Sequence, residues 1–404
     1  MKRFYKIFVF VLFVFYTSLL AQPNQYVILV SFDGFRWDYQ NRGITPNLDE
    51  VINEGVTALS LRPCFPSKTF PNHISIATGM FPENHGIISN DFTNPFTNEE
   101  YKMSDTVITR QSKWYNGEFI WETLERNNIR TASYFWPGSE LTLKERKPSF
   151  NKQYQHKFPY KNRVDSVISW LQLPENIRPH FITLYFDATD TYGHKYGPNS
   201  AGVNFAIKQL DSIAGYLINR INEIGLTDKT NIIFLSDHGM TDISNERIIN
   251  IQELLKDYKA EFFNDGPVMT IKTEPKDRDK VYNLLCGQKH FTTYKKENLP
   301  DYFRYNKNPF ISDLILVADL GWTLANNGSI NKIKKYGGLG NHGFSKDELD
   351  MHGFFVAKGP SFKNNFKTGT IWNIDIYPLI CKIFSVSPRS NIDGNLERIQ
   401  FLLK

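Results

Sequence analysis

Cysteine is scarce: the chain has 3 in 404 residues, Cys64, Cys286 and Cys381. So few, and an odd number, exclude a disulfide framework, and a stable fold has to come from a buried core. The length permits one large domain with an inserted subdomain. An excess of one charge is also nearly lacking. The formal net charge is +5, but Lys2, Arg3 and Lys6 supply three of those charges in a segment without a single acid. The rest is close to neutral, which gives no reason to expect a surface for nucleic-acid polymers. Beyond residue 20 no apolar run is long enough to span a membrane. Internal repeats and low-complexity segments are absent. The glycine-rich loop Gly337-Gly338-Leu339-Gly340-Asn341-His342-Gly343 follows neither the dinucleotide nor the P-loop spacing.

The first residues do have the composition of a targeting signal. A basic n-region is followed by an apolar run from Phe8 to Leu20 and a small residue, Ala21, before Gln22. Residues 1–21 are expected to be a signal peptide and the product exported, periplasmic or secreted; an uncleaved anchor is the alternative. No Cys follows the run, so a lipoprotein anchor is not expected.

Short apolar runs alternate with helical patterns. Tyr26 to Phe32, His180 to Phe186 and Asn231 to Leu235 suit buried parallel strands. Thr45 to Glu54, Asn162 to Leu171 and Ala201 to Ile224 have helical periodicity. Asn90 to about Lys113 is polar and turn-rich and predicts a loop. The expected fold is α/β: a doubly wound, mostly parallel sheet flanked by helices over residues 22–404. The pattern shifts near Asp265, and an inserted α+β subdomain is expected at about 265–330.

The polar residues that stand out follow these strands or lie in a loop near one. Asp33 ends the first, Asp190 and His194 lie past the second, Asp237 and His238 end the third, and His342 lies in the glycine loop. Singly, each has an ordinary structural role open to it, such as closing a turn or starting a helix. Together they fit one plan. Asp190, His194 and His342 would make one site, and Asp33, Asp237 and His238 with the Thr69 oxygen a second. Buried Asp needs a partner or a metal, and Asp with His suits Zn²⁺. Three protein ligands and an open position mark a catalytic rather than a structural zinc.

Thr69 lies at the centre of Arg62 to Asn90. Pro71 sits just inside a predicted helix, which places Thr69 near its N-cap, where free N–H groups and the helix dipole favour an anion. Capping alone would also account for Thr69.

The chain resembles the nucleotide pyrophosphatase/phosphodiesterases of the alkaline phosphatase superfamily, in their compact bacterial form. The resemblance covers nearly all residues past the targeting segment. Its motifs are V-S-F-D-G-F-R (30–36), F-P-S-K-T-F-P-N-H (65–73), G-M-F-P-E-N-H-G-I-I-S-N (79–90), W-P-G-S (136–139), D-T-Y-G-H-K-Y-G-P (190–198), L-S-D-H-G-M (235–240) and G-N-H-G-F (340–344). It implies Thr69 as nucleophile, two Zn²⁺ held by the six Asp and His ligands, and Asn90 as an amide donor to a phosphoryl oxygen. The backbone N–H of Phe70 is a second expected donor there. Phe70 and Tyr154 would stack the base of a small-molecule nucleotide. The implied reaction is hydrolysis of nucleotide diesters and pyrophosphates to nucleoside 5′-monophosphates through a covalent phosphothreonine. His73 and His85 are expected to be structural, and His352 is the rival ligand. Choline-type lysophospholipid headgroups are the alternative substrate. A phosphomonoesterase would want an arginine grip that no motif supplies. A sulfatase would want Arg where Cys64-Phe65-Pro66-Ser67-Lys68 has Lys.

Overall fold

The computed structural model describes residues 25–336 and 338–404. The expected signal peptide, residues 1–21, and Gly337 lie outside the described residues. The strand Tyr26–Phe32 is buried along its whole length, as its unbroken apolar run requires. It pairs in parallel with Phe181–Phe186 on one side and Thr230–Leu235 on the other. These three form the middle of an 8-stranded sheet. Thr131–Tyr134 and Phe150–Lys152 extend it in parallel beyond Phe181–Phe186. At the other side Phe355–Lys358 runs antiparallel to Thr230–Leu235 and to Val56–Ala58, and Phe366–Thr368 then closes the edge. The sheet is therefore mostly parallel, with one reversed strand.

Successive side chains of the central strand enter opposite cores. Val27 and Leu29 pack in a cluster with Ile74 and Ile76 of the helix Thr69–Thr78 and with Leu379 of Ile376–Ile383. Ile28 and Val30 pack with Leu48, Val164 and Leu210, from the helices Pro46–Glu54, Tyr160–Leu171 and Ala201–Glu223. Leu29 is fully enclosed, so Leu29→Ala should cost about 2–5 kcal/mol.

Two stretches differ from expectation. Asp187 to His194, for which the sequence pattern assigns no element, contains the start of a helix, Ala188–Tyr196. Thr189, Thr191 and Gly193 have low helix propensity and hide the periodicity. The expected loop after Asn90 holds a hairpin, Asp91–Thr93 with Glu100–Lys102, and a short helix capped by Asp105. Strands that short carry no readable alternation.

A separate antiparallel sheet has the order Ala260–Phe263, Val268–Thr273, Leu314–Ala318, Phe291–Lys295. The helix Arg278–Cys286 covers it through Val281 and Leu285. The composition shift at Asp265 falls between its first two strands. This unit docks on the segment that leads to Asn90: Tyr305 donates to the Ile88 carbonyl at 2.8 Å, and Glu83 accepts from the Asn306 and Lys307 N–H groups.

Candidate active site

Three adjacent parallel strands end at the same pole, and each brings candidate metal-binding side chains there. Asp33 follows Tyr26–Phe32, and Asp237 and His238 follow Thr230–Leu235. Asp190 and His194 lie one turn apart on Ala188–Tyr196, just past Phe181–Phe186. Gly34 has φ +66°, and a Cβ there would lie 2.9 Å from the Asp190 Cα. Glycine thus lets the turns that carry Asp33 and Asp190 touch. The glycine loop serves the same purpose: a Cβ on Gly338 would lie 1.8 Å from the His194 carbonyl oxygen. The loop lays its backbone on the helix and carries His342 to the site.

The six residues form two groups, Asp190/His194/His342 and Asp33/Asp237/His238, with ligand atoms within 4.8 Å of one another in each. The histidines are oriented alike. His238 Nδ1 faces the Gly239 carbonyl at 2.8 Å, His194 Nδ1 the Gly340 carbonyl at 2.9 Å, and His342 Nδ1 the Ser67 carbonyl at 2.9 Å. A carbonyl only accepts, so each Nδ1 is the donor, and in a neutral ring Nε2 is left as a lone pair. Those lone pairs converge. His194 Nε2 and His342 Nε2 are 3.1 Å apart, and His238 Nε2 is 3.3 Å from Asp33 Oδ1 and 3.1 Å from Asp237 Oδ2. Asp33 Oδ1, Asp190 Oδ1 and Asp237 Oδ2 are buried without a hydrogen-bond partner. Lone pairs and carboxylates that face one another fit bound cations, and the donor set is the one zinc favours.

The charges agree. Burial, with Asp237 and Asp190 nearby, raises Asp33 well above the usual carboxylate range. Burial acts the same way on Asp190, but His194 and His342 outweigh it and hold Asp190 low. Burial disfavours a charged His194, yet Asp190 beside it raises it to about 9. Asp33 is thus short of positive charge, while His194 supplies it to Asp190.

Thr69 is the first residue of Thr69–Thr78, with Lys68 at the N-cap. Its Oγ1 lies 3.2 Å from His238 Nε2, beside the Asp33/Asp237 group. The turn before it is held by Asn72, whose amide donates to the Pro66 and Lys68 carbonyls. Ser67 ties it to the His342 loop by donating to the Phe344 carbonyl and accepting from Gly343 N–H.

Asn90 is brought to Thr69, but one expectation is corrected here. The Phe70 N–H, expected to face a phosphoryl oxygen, is donated to Asn90 Oδ1 at 3.0 Å. The bond leaves the Asn90 amide NH₂ as the available donor and fixes its direction. Phe70 and Tyr154 line one cavity of about 140 Å³ with Thr69, Trp136 and Tyr185.

His352, His73 and His85 are in neither group, although His73 Nδ1 lies 3.3 Å from Asp237 Oδ2. His352 is bonded through both ring nitrogens, to Ser60 Oγ and to the Lys346 carbonyl, and belongs to neither group. His73 lies against the Thr69 carbonyl and Ser31 Oγ. His85 lies between Ser75 Oγ and the Pro71 carbonyl, and burial lowers it to about 3.

Sequence reasoning missed Tyr185 and Lys68. Tyr185 lines the cavity and donates to Asp33 Oδ2 at 2.6 Å; within a strand it looks like one more apolar residue. Lys68, whose ammonium burial lowers, lines an open cleft of about 300 Å³ with Asp91, Tyr101 and Asp265. Its place one residue before Thr69 was the available signal.

A threonine hydroxyl at a helix start, beside two Asp/His groups at the carboxyl ends of an α/β sheet, defines a phosphoryl-transfer hydrolase of the alkaline phosphatase type. More particularly, the chain belongs to the type I phosphodiesterase / nucleotide pyrophosphatase family, whose model matches residues 27–345. It is 37% identical over 380 residues to the bis(5′-adenosyl)-triphosphatase enpp4 of Xenopus laevis, covering 93% of this chain and 81% of that one. It is 34% identical over 389 residues to human ectonucleotide pyrophosphatase/phosphodiesterase family member 5, covering 96% and 80%. The solved structure of the murine member 5, inactive and in complex with AMP, superposes with a TM-score of 0.88 at 32% identity, covering 94% of this chain and 100% of that one. The protein is therefore a hydrolase of phosphodiester and pyrophosphate bonds.

Proposed function

We propose that this chain hydrolyses nucleotide diesters and pyrophosphates to nucleoside 5′-monophosphates, with Thr69 as nucleophile. One observation carries the reading: an aromatic cavity with Phe70 and Tyr154 in its wall opens directly beside Thr69 Oγ1. A base held there leaves its 5′-phosphorus next to the hydroxyl. The AMP complex of the murine relative supports it.

Asp190, His194 and His342 would hold one Zn²⁺, and Asp33, Asp237 and His238, with Thr69, the other. When bound, zinc supplies Lewis-acid charge to the phosphoryl oxygens and lowers the pKa of a hydroxyl or water beside it. The chain's own residues do the rest. The helix start favours the Thr69 alkoxide. Thr69 Oγ1 loses its proton to solvent and bonds to phosphorus as the bond to the leaving oxygen breaks. The Asn90 amide donates to an equatorial phosphoryl oxygen as charge grows there. Water then attacks the phosphothreonine on the opposite side, restores the hydroxyl and releases the nucleotide. Two inversions give net retention at phosphorus.

Glu140 also lines the cavity, but its carboxylate is paired with Arg110 at 2.6 Å. That pairing weakens the case for a choline headgroup, which an unpaired acid would favour. The test is a metal analysis of the purified protein with a screen of p-nitrophenyl-TMP, p-nitrophenyl phosphate and p-nitrophenyl phosphorylcholine. Preference for the first supports the reading, and preference for either of the others ends it. Among the described residues no helix is long and apolar enough to cross a membrane. Export rests on residues 1–21, and N-terminal sequencing of the protein from cell fractions tests it.

A further inference from the structure

Tyr154 lies between the strand Phe150–Lys152 and the helix Tyr160–Leu171, outside regular structure, and is 40% exposed. An aromatic on such a loop is a poor wall unless it is held, because ordering it on binding costs conformational entropy. Beneath it lies Arg163, whose side chain has no exposed surface. A buried guanidinium needs acceptors, and this one joins two parts of the fold. It donates to the His156 and Phe158 carbonyls of the loop at 3.3 and 3.2 Å, and to the Tyr185 carbonyl of the strand at 2.8 Å.

Asp187 completes the arrangement. It follows the strand Phe181–Phe186, lies 3.6 Å from Arg163 Nη1, and accepts the Tyr160 hydroxyl at 3.1 Å. Its Oδ2 is 3.3 Å from His156 Nδ1, which is 3.1 Å from the Tyr154 hydroxyl. Phe135 packs between the clamp and the wall: its ring lies 5.0 Å from the guanidinium and 5.2 Å from the Tyr154 ring. Its φ of +70° is left-handed for a non-glycine residue, a conformation that persists only where neighbours hold it.

We propose that Arg163 and Asp187 form a buried clamp that positions Tyr154, so that they set affinity for the nucleoside half of the substrate rather than the rate of bond breaking. The proposal rests on Tyr154 being the stacking wall proposed above. Arg163 and Asp187 are positioning residues that reach substrate only through Tyr154.

The experiment compares p-nitrophenyl-TMP with methyl p-nitrophenyl phosphate, a diester without a base. Asp187→Asn and His156→Ala should each raise KM for the nucleotide ester about five- to tenfold and leave its kcat within about twofold. Their kcat/KM on the methyl ester should stay within about twofold. Arg163→Lys should fall between these variants and the parent, because it keeps the charge and loses the fork. Removing buried Arg163 outright endangers the fold, whereas His156 is exposed and lies between Asp187 and Tyr154, so its variant keeps the test open. Tyr154→Ala is measured in parallel. If it raises KM while Asp187→Asn and His156→Ala do not, the clamp is overturned and the base site stands. If Tyr154→Ala leaves KM unchanged, the base site falls and the clamp with it. Equal losses on both substrates would make the role of Asp187 merely structural and overturn the proposal.

Discussion

The two Asp/His groups differ in how they are built. Asp33, Asp237 and His238 follow buried strands, and the His238 and Asp237 side chains have no exposed surface. Asp190 and His194 lie on a helix, His342 comes from a distant loop, and the His194 side chain is 39% exposed. The inner group inherits the rigidity of the sheet and faces Thr69. The outer group is the more open one at His194, while its His342 is buried. On the proposed mechanism the inner group would serve the nucleophile and the outer group would hold its ion less tightly, and the first two predictions below test that division.

The largest effect should come from the nucleophile. Thr69→Ala should lower kcat on p-nitrophenyl-TMP by roughly a thousandfold or more while AMP still binds by calorimetry. Thr69→Ser should keep part of the activity, since the hydroxyl remains. Substantial turnover by the alanine variant would remove the inner group's role in activating Thr69.

Metal removal should separate the groups directly. His342→Ala should lose one ion per chain and lower turnover by roughly a hundredfold or more. Graded chelation of the parent should pass through a one-ion form, the outer ion leaving first because His194 opens that group to solvent. Loss of both ions in a single step, followed by metal analysis during dialysis, would show the division to be false. So would loss of the inner ion first.

What the sequence made legible divides along a similar line. Asp33, Asp237 and His238 end runs such as Y-V-I-L-V-S-F, whose burial on both faces is readable from composition, so their position at the sheet's carboxyl end followed. The helix carrying Asp190 and His194 was not readable, because Gly193 and two threonines mask its period. The pairing of Phe70 N–H with Asn90 was not readable either, since it depends on a loop folding back across many residues. In sequence, Arg163 is one more polar residue of a helical stretch. Nothing local signals that its guanidinium is buried, because the acceptors come from a loop and a strand elsewhere.

The aromatic wall should show an intermediate effect. Replacing Phe70 and Tyr154 together with Ala should raise KM for nucleotide esters about ten- to hundredfold, the scale of losing base stacking. A base-free diester should be spared. If the double variant handled nucleotide esters as before, the nucleotide assignment would fail and the ligand groups would be untouched by that result.

The smallest effect is expected at Cys64, which a sulfatase-like mechanism would make the centre of the chemistry. Its thiol is buried and donates to Asn373 Oδ1 at 3.2 Å, and its backbone N–H is held by Asn72. Burial pushes the thiol up to about 12, so at neutral pH it stays protonated, and a thiol is a far weaker nucleophile than a thiolate. The hydroxyl beside the inner group belongs to Thr69, not to this side chain. Cys64→Ala should therefore keep turnover within about twofold and cost at most about 2 kcal/mol of stability, from a small buried cavity. Iodoacetamide on the native protein at pH 7–8 should label exposed Cys286 and leave Cys64 and Cys381, both buried, intact by peptide mass analysis. A dead Cys64→Ala enzyme beside an active Thr69→Ala enzyme would transfer the nucleophile from the helix start to the turn before it.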